Sequence, residues 1–104
     1  MESFAKTIRK ARKDKGFILR KVASITDIDQ SIISKYETGE RKPTRNQVLK
    51  LADCYQLDKN KLIIAWKSDL VYYSLQDEEL ASEILKVAEE KVKYQKSNLK
   101  KAKS

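Results

Sequence analysis

The sequence predicts an all-α protein, with five short helices followed by one long C-terminal helix. Two observations predict it. Apolar residues recur at three- and four-residue spacing in segment after segment. Only two glycines and one proline occur in 104 residues, which leaves little room for the turns of a β architecture. No long apolar run exists, so no membrane span is expected. Forty per cent apolar residues suffice for one small helical core, while 37% charged residues imply a heavily solvated surface.

Helix one starts after Ser3, turns Phe4, Ile8 and Ala11 inward and stops at Gly16. Phe17 anchors the next segment in the core. Two short helices then meet at a sharp turn. Val22 and Ala23 stand one turn before Ile25, Ile28 follows the turn, and Ile32, Ile33 and Tyr36 recur at helical spacing. Ala23 is small where the second helix must cross closely, and Ile33 and Tyr36 fill the seam. Asp29 is a natural N-cap, so the first exposed side chains of the second helix are Gln30 and Ser31. Short polar groups at such a helix start can reach base edges in a major groove.

After a loop over 39–43, Thr44 and Gln47 form a capping box, with Val48, Leu51, Ala52 and Tyr55 inward. The free N–H groups at this helix start, beside Thr44 and Arg45, make a ready phosphate site. Helix five follows an Asp58 cap. Leu62, Trp66, Leu70 and Tyr73 make one apolar stripe, and Ile64 and Val71 lie on another. A surface helix needs a single stripe. The second points to a partner, most simply the same helix across a two-fold axis, and Leu62, Trp66, Leu70 and Tyr73 are the expected dimer interface. Cover by the C-terminal segment of the same chain is the alternative.

The long helix is expected to begin near Gln76, with Asp77, Glu78 and Glu79 complementing the dipole in its first turn. Ala81, Leu85, Ala88 and Val92 form one stripe, and Leu80, Ile84 and Val87 an adjacent one. Packing over helix five, within a chain or across a dimer, is the expectation; beyond Tyr94 the lysine-rich tail is expected to fray. The organisation is therefore a domain over 1–74 and a C-terminal helix and tail over 75–104.

The formal charge of +8 is unevenly placed. Positions 6 to 21 hold eight basic residues against Asp14, and positions 69 to 90 hold seven acids against Lys86. Six lysines and no acid follow, from 91 to 103. This segregation suits a basic face toward a polyanion and an acidic shoulder turned away. Histidine is absent, which removes imidazole general bases and the commonest metal ligand. Without a Gly-rich phosphate loop or paired carboxylates in an evident pocket, the chain is not expected to be an enzyme, nor to need a cofactor or metal. A single cysteine, Cys54, excludes an internal disulfide and fits a reducing cytoplasm. Residues 1–3 lead into a basic amphipathic segment rather than a signal peptide.

Read with its flanks, the 19–37 segment resembles the helix-turn-helix of the Cro and phage-repressor family. Arg12 and Gly16 precede it in the order in which the family's first helix ends, and Glu37, Thr38, Gly39, Glu40, Arg41, Lys42 and Pro43 match its exit from the recognition helix. The resemblance runs from about residue 4 to residue 66. It implies a five-helix repressor-like domain. It implies that Gln30, Ser31 and Lys35 contact base edges, with Ser34 a lesser candidate. It also implies that Arg41, Lys42, Thr44 and Arg45 grip phosphates, and that Arg12 and Glu37 form a structural ion pair. Three departures stand out. Leu19 occupies a position where relatives carry a phosphate-contacting Gln, Ile18 replaces a Ser or Thr cap, and Asp27 replaces the turn glycine. More narrowly, a short member without an effector domain resembles the controller proteins of restriction–modification operons.

The expected function is sequence-specific binding of a double-stranded DNA operator by a cytoplasmic homodimer that controls transcription, with RNA polymerase as a further partner. A restriction–modification operon including its own gene is the implied target. The rival is an antitoxin-type autoregulator whose C-terminal helix binds a toxin.

Overall fold

Local sequence accounts for where most helices begin and end. The computed structural model describes residues 2–103, so Met1 and Ser104 lie outside the described residues. Among the described residues the chain forms six α-helices and no strand. They are α1 (Phe4–Asp14), α2 (Leu19–Thr26), α3 (Gln30–Thr38), α4 (Arg45–Tyr55), α5 (Lys59–Leu75) and α6 (Ala81–Lys103).

Side chains cap four of these helices by accepting backbone N–H bonds that the first turn leaves open. Ser3 accepts from Lys6, and Asp29 from Ser31. Thr44 and Gln47 form both bonds of the expected capping box. Asp58 accepts from Lys61 at 2.9 Å. α2 has no side-chain cap bond, because apolar Ile18 stands at its N-cap. The turn between α2 and α3 is left-handed at Asp27, φ 58°. Thr26 supports it: its buried hydroxyl donates to the Val22 carbonyl at 2.8 Å and accepts from the Ile28 N–H at 3.3 Å.

The chain divides into two compact units, 1–71 and 72–104, a few residues before the 74/75 boundary read from sequence. In the first unit, α1 and α2 both pack on α3 and α4. Phe4 and Ile8 of α1, Val22 of α2, Ile33 and Tyr36 of α3, and Val48, Leu51 and Tyr55 of α4 share one core. Burial of this apolar surface, at about 25 cal/mol per Å², is the main force assembling helices too short to persist alone.

α5 closes that core, which corrects an expectation. Leu62 and Trp66 are 2% and 8% exposed and belong to the core of their own chain, with Leu70 half-buried against it. They are therefore not a surface available to a second subunit; of the four residues assigned to a dimer interface only Tyr73, 46% exposed, remains at the surface. The stripe carrying Trp66 turns inward because it holds the bulkiest apolar group of the helix. A polar bond fixes the same arrangement. Asp69 accepts the Phe4 backbone N–H at 2.7 Å, so a carboxylate from α5 caps the start of α1.

The second unit differs from expectation at both ends of its helix. α6 begins at Ala81, not near Gln76, because Asp77 takes a left-handed conformation, φ 65°, and breaks the run. Asp77, Glu78 and Glu79 thus lie in the connection, and Glu83 is the acid of the first turn. The predicted fraying beyond Tyr94 is not what the backbone does, since α6 continues to Lys103. Lysine, glutamine, leucine and alanine are adequate helix formers, and lysines suit the negative end of the dipole. Among the described residues no helix is long and apolar enough to cross a membrane.

Candidate nucleic-acid interface

The candidate interface starts from the amphipathic character of α3. Ile33, Tyr36 and Glu37 turn inward. Residues 30, 31, 34 and 35, offset by one, four and five positions, then share the opposite side of the helix. Gln30, Ser31 and Lys35 are exposed there, and Ser34 is half-buried. The structure therefore brings all four predicted base-reading residues to one outward face.

The start of that face is shaped by Asp29. Its carboxylate accepts the Ser31 backbone N–H at 2.8 Å and the Ser31 hydroxyl at 2.5 Å. These two bonds from Ser31, the hydroxyl first, hold the Asp29 carboxyl below its ordinary value. The Ser31 hydroxyl is thus oriented by the cap, its proton committed to Asp29 and its oxygen left able to accept. The far end of α3 is fixed differently. Arg12 Nε donates to Glu37 Oε2 at 2.7 Å and Nη2 donates to Oε1 at 3.0 Å, as the predicted ion pair requires. The bond to Glu37 raises the Arg12 pKa further above the range where it could lose its proton.

Beyond α3, Gly39 is left-handed at φ 82°, and the Arg41 N–H returns to the Lys35 carbonyl at 3.3 Å. This fold-back keeps the exit loop against the recognition helix. Arg41, Lys42, Thr44 and Arg45 all follow with exposed side chains, while Pro43 is buried. Gln47 joins the two parts of the surface. Its Oε1 accepts the Thr44 N–H at 3.0 Å and the Tyr36 hydroxyl at 2.5 Å. Burial pushes the Tyr36 phenol up, which keeps it a donor to Gln47. The capping role of Gln47 is legible in the sequence, whereas its bond to Tyr36 is not, being a contact across eleven positions that periodicity does not encode.

The departures at helix two also resolve. Leu19 is half-buried against the core, so it packs on the domain as an apolar side chain and offers no polar group at that position. Ile18, 58% exposed, lies with Leu19, Arg20, Arg12 and Gln30 around a shallow depression beside the start of α3. Cys54 is half-buried, and burial raises its thiol, which disfavours the reactive thiolate.

A short third helix, held at both ends and presenting polar side chains beside a basic loop and a helix start, is the arrangement expected of a DNA-binding transcription regulator. Family membership gives the same class: the chain belongs to the helix-turn-helix domain family, which matches residues 5–65, more than half of its length. No curated protein and no solved structure matches it.

Proposed function

We propose that the protein is a sequence-specific transcription regulator that binds a near-palindromic operator as a homodimer, acting by occupancy rather than catalysis. The observation that carries this reading is the single polar outward face of Gln30, Ser31, Ser34 and Lys35 on a helix whose other face is buried. α3 enters the major groove. Gln30 pairs with adenine through its amide, and Lys35 donates to guanine, each worth about 1–3 kcal/mol against the wrong base. Arg41, Lys42 and Arg45 neutralise phosphates, the Thr44 cap offers N–H groups, and basic residues of α1 add long-range attraction. Two subunits then read half-sites about one helical turn apart.

The resemblance to controller proteins supports a restriction–modification operon, including the regulator's own gene, as the target. Occupancy is then set by protein concentration through dimerisation, which gives threshold behaviour. The test is selection of bound sequences from a randomised duplex pool, followed by footprinting upstream of the gene. A two-fold-related consensus that is protected there supports the reading. Enrichment of no sequence, with affinity that falls with salt equally for all duplexes, sinks it.

A further inference from the structure

α6 leaves its apolar side chains uncovered. Leu85, Val92 and Leu99 are 46%, 51% and 55% exposed. They recur every seven residues, and Ala81, Ala88 and Gln95 fall between them at the complementary positions. Because α6 is helical from Ala81 to Lys103, this is a seam of nearly three heptads, with Leu85, Val92 and Leu99 at a and Ala81, Ala88 and Gln95 at d. Ile84 and Val87 widen the face, lining a shallow groove with Leu80 and Ala88.

We propose that this face binds a second copy of the same chain, α6 against α6 in antiparallel orientation, with the two-fold axis near residue 90. The inference rests on the homodimeric reading above and supplies its surface. Side-chain size selects the orientation. In a parallel pair each position meets itself, so alanine layers alternate with bulky ones and Gln95 faces Gln95. In the antiparallel pair a meets d. Val92 packs on Ala88 of the second copy, Leu99 on Ala81, and Leu85 on the stem of Gln95. Each layer then holds one larger and one smaller or thinner group, which keeps packing even along the seam.

Charge selects the same orientation. Glu89 and Lys96 both occupy e positions flanking the seam. Antiparallel pairing sets e against e, so Glu89 meets Lys96 of the second copy twice over. Parallel pairing sets e against g, and Lys96 then meets Lys91, a like charge, twice. Along the helix, the acids at 83, 89 and 90 stand at or before the axis and the lysines at 91, 93 and 96 after it, so antiparallel pairing sets the two groups against each other. The pairs are exposed, and Glu89 already has Lys93 at 2.9 Å within its own helix, so they choose orientation more than they add affinity.

The experiment uses the whole chain with Cys54→Ser and one new cysteine, either Ala81→Cys or Leu99→Cys. Under mild oxidation, a mixture of the two variants is expected to give the mixed disulfide-linked dimer as its main product. Either variant alone is expected to give little, because like positions lie roughly 27 Å apart in antiparallel pairing and a disulfide spans less than about 7 Å. Self-linked dimers from each variant alone overturn the orientation. Leu85→Asp is expected to halve the sedimenting mass at micromolar concentration while the fluorescence of buried Trp66 stays native. A parent that sediments as a monomer, or a Leu85→Asp dimer, overturns the surface. If such a chain still selects and protects one operator, this pairing alone falls and the DNA-reading proposal stands.

Discussion

Arg12 on α1 and Glu37 near the end of α3, twenty-five residues apart, meet through two parallel hydrogen bonds, Nε to Oε2 at 2.7 Å and Nη2 to Oε1 at 3.0 Å. A third bond from Nη1 reaches the Phe17 carbonyl at 3.0 Å, so one guanidinium ties the recognition helix to the turn before α2. Glu37 is 8% exposed, and a charge that deep needs its partner.

The first prediction follows from that dependence. Arg12→Ala leaves the Glu37 carboxylate buried and unpaired, and is expected to cost about 3 kcal/mol of stability. Equilibrium unfolding in urea measures it. An unchanged midpoint would show that the pair does not brace the domain.

The proposed base and phosphate roles should separate in binding data. Gln30→Ala is expected to relax preference at one base pair of each half-site by about 1–3 kcal/mol. Arg45→Ala is expected to weaken binding to every duplex alike and to reduce the slope of log affinity against log salt by about 1. Identical selectivity for Gln30→Ala and the parent in a randomised-site assay would remove Gln30 from the reading surface.

Two tyrosines that look alike in sequence should behave differently. The Tyr36 hydroxyl donates to Gln47, so Tyr36→Phe is expected to cost about 1 kcal/mol and to loosen the loop that carries Arg41 and Lys42. The Tyr55 hydroxyl is buried without a partner, so Tyr55→Phe is expected to leave stability unchanged or slightly raised. Equal losses in thermal unfolding would contradict the hydrogen-bond assignment.

Trp66→Ala should act on the fold and not on assembly alone. The ring is part of the core, and removing it is expected to cost about 3–5 kcal/mol, enough to unfold a marginal domain. A folded, monomeric Trp66→Ala chain would return Trp66 to an interface.

Acid should weaken the start of the recognition helix. The Asp29 carboxyl is depressed below its ordinary 3.8 by the Ser31 hydroxyl and backbone N–H. A depressed carboxyl contributes stability that is fully present above the unfolded value and is lost as pH falls through the lower folded value. The parent is therefore expected to lose thermal stability more steeply than Asp29→Asn from about pH 4 downward. Parallel pH profiles for the two chains would show that Asp29 is not coupled to folding.

Much of the interface was legible because its signals are local. The Asp29 cap, the Thr44–Gln47 box and the inward Ile33 and Tyr36 each depend on residues within one or two turns. The resemblance added the Arg12–Glu37 pair, whose geometry the structure supplies. The contacts that were not legible join distant positions: Tyr36 to Gln47, Arg12 to the Phe17 carbonyl, and Asp69 to Phe4. In sequence Asp69 belongs only to the acidic shoulder, since nothing near it in the chain announces a helix start sixty-five residues earlier.

The order of amino acids alone determined the all-helical class, most helix ends and the polar outer side of α3. These follow from capping chemistry and a repeat of 3.6 residues, which act over short stretches of chain. The tertiary structure decided which stripe of α5 faced the core, and that Leu62 and Trp66 close the first unit. A periodic stripe says that a face is apolar without saying what covers it. Packing volume and the carboxylate of Asp69 made that choice, through neighbours far away in the chain.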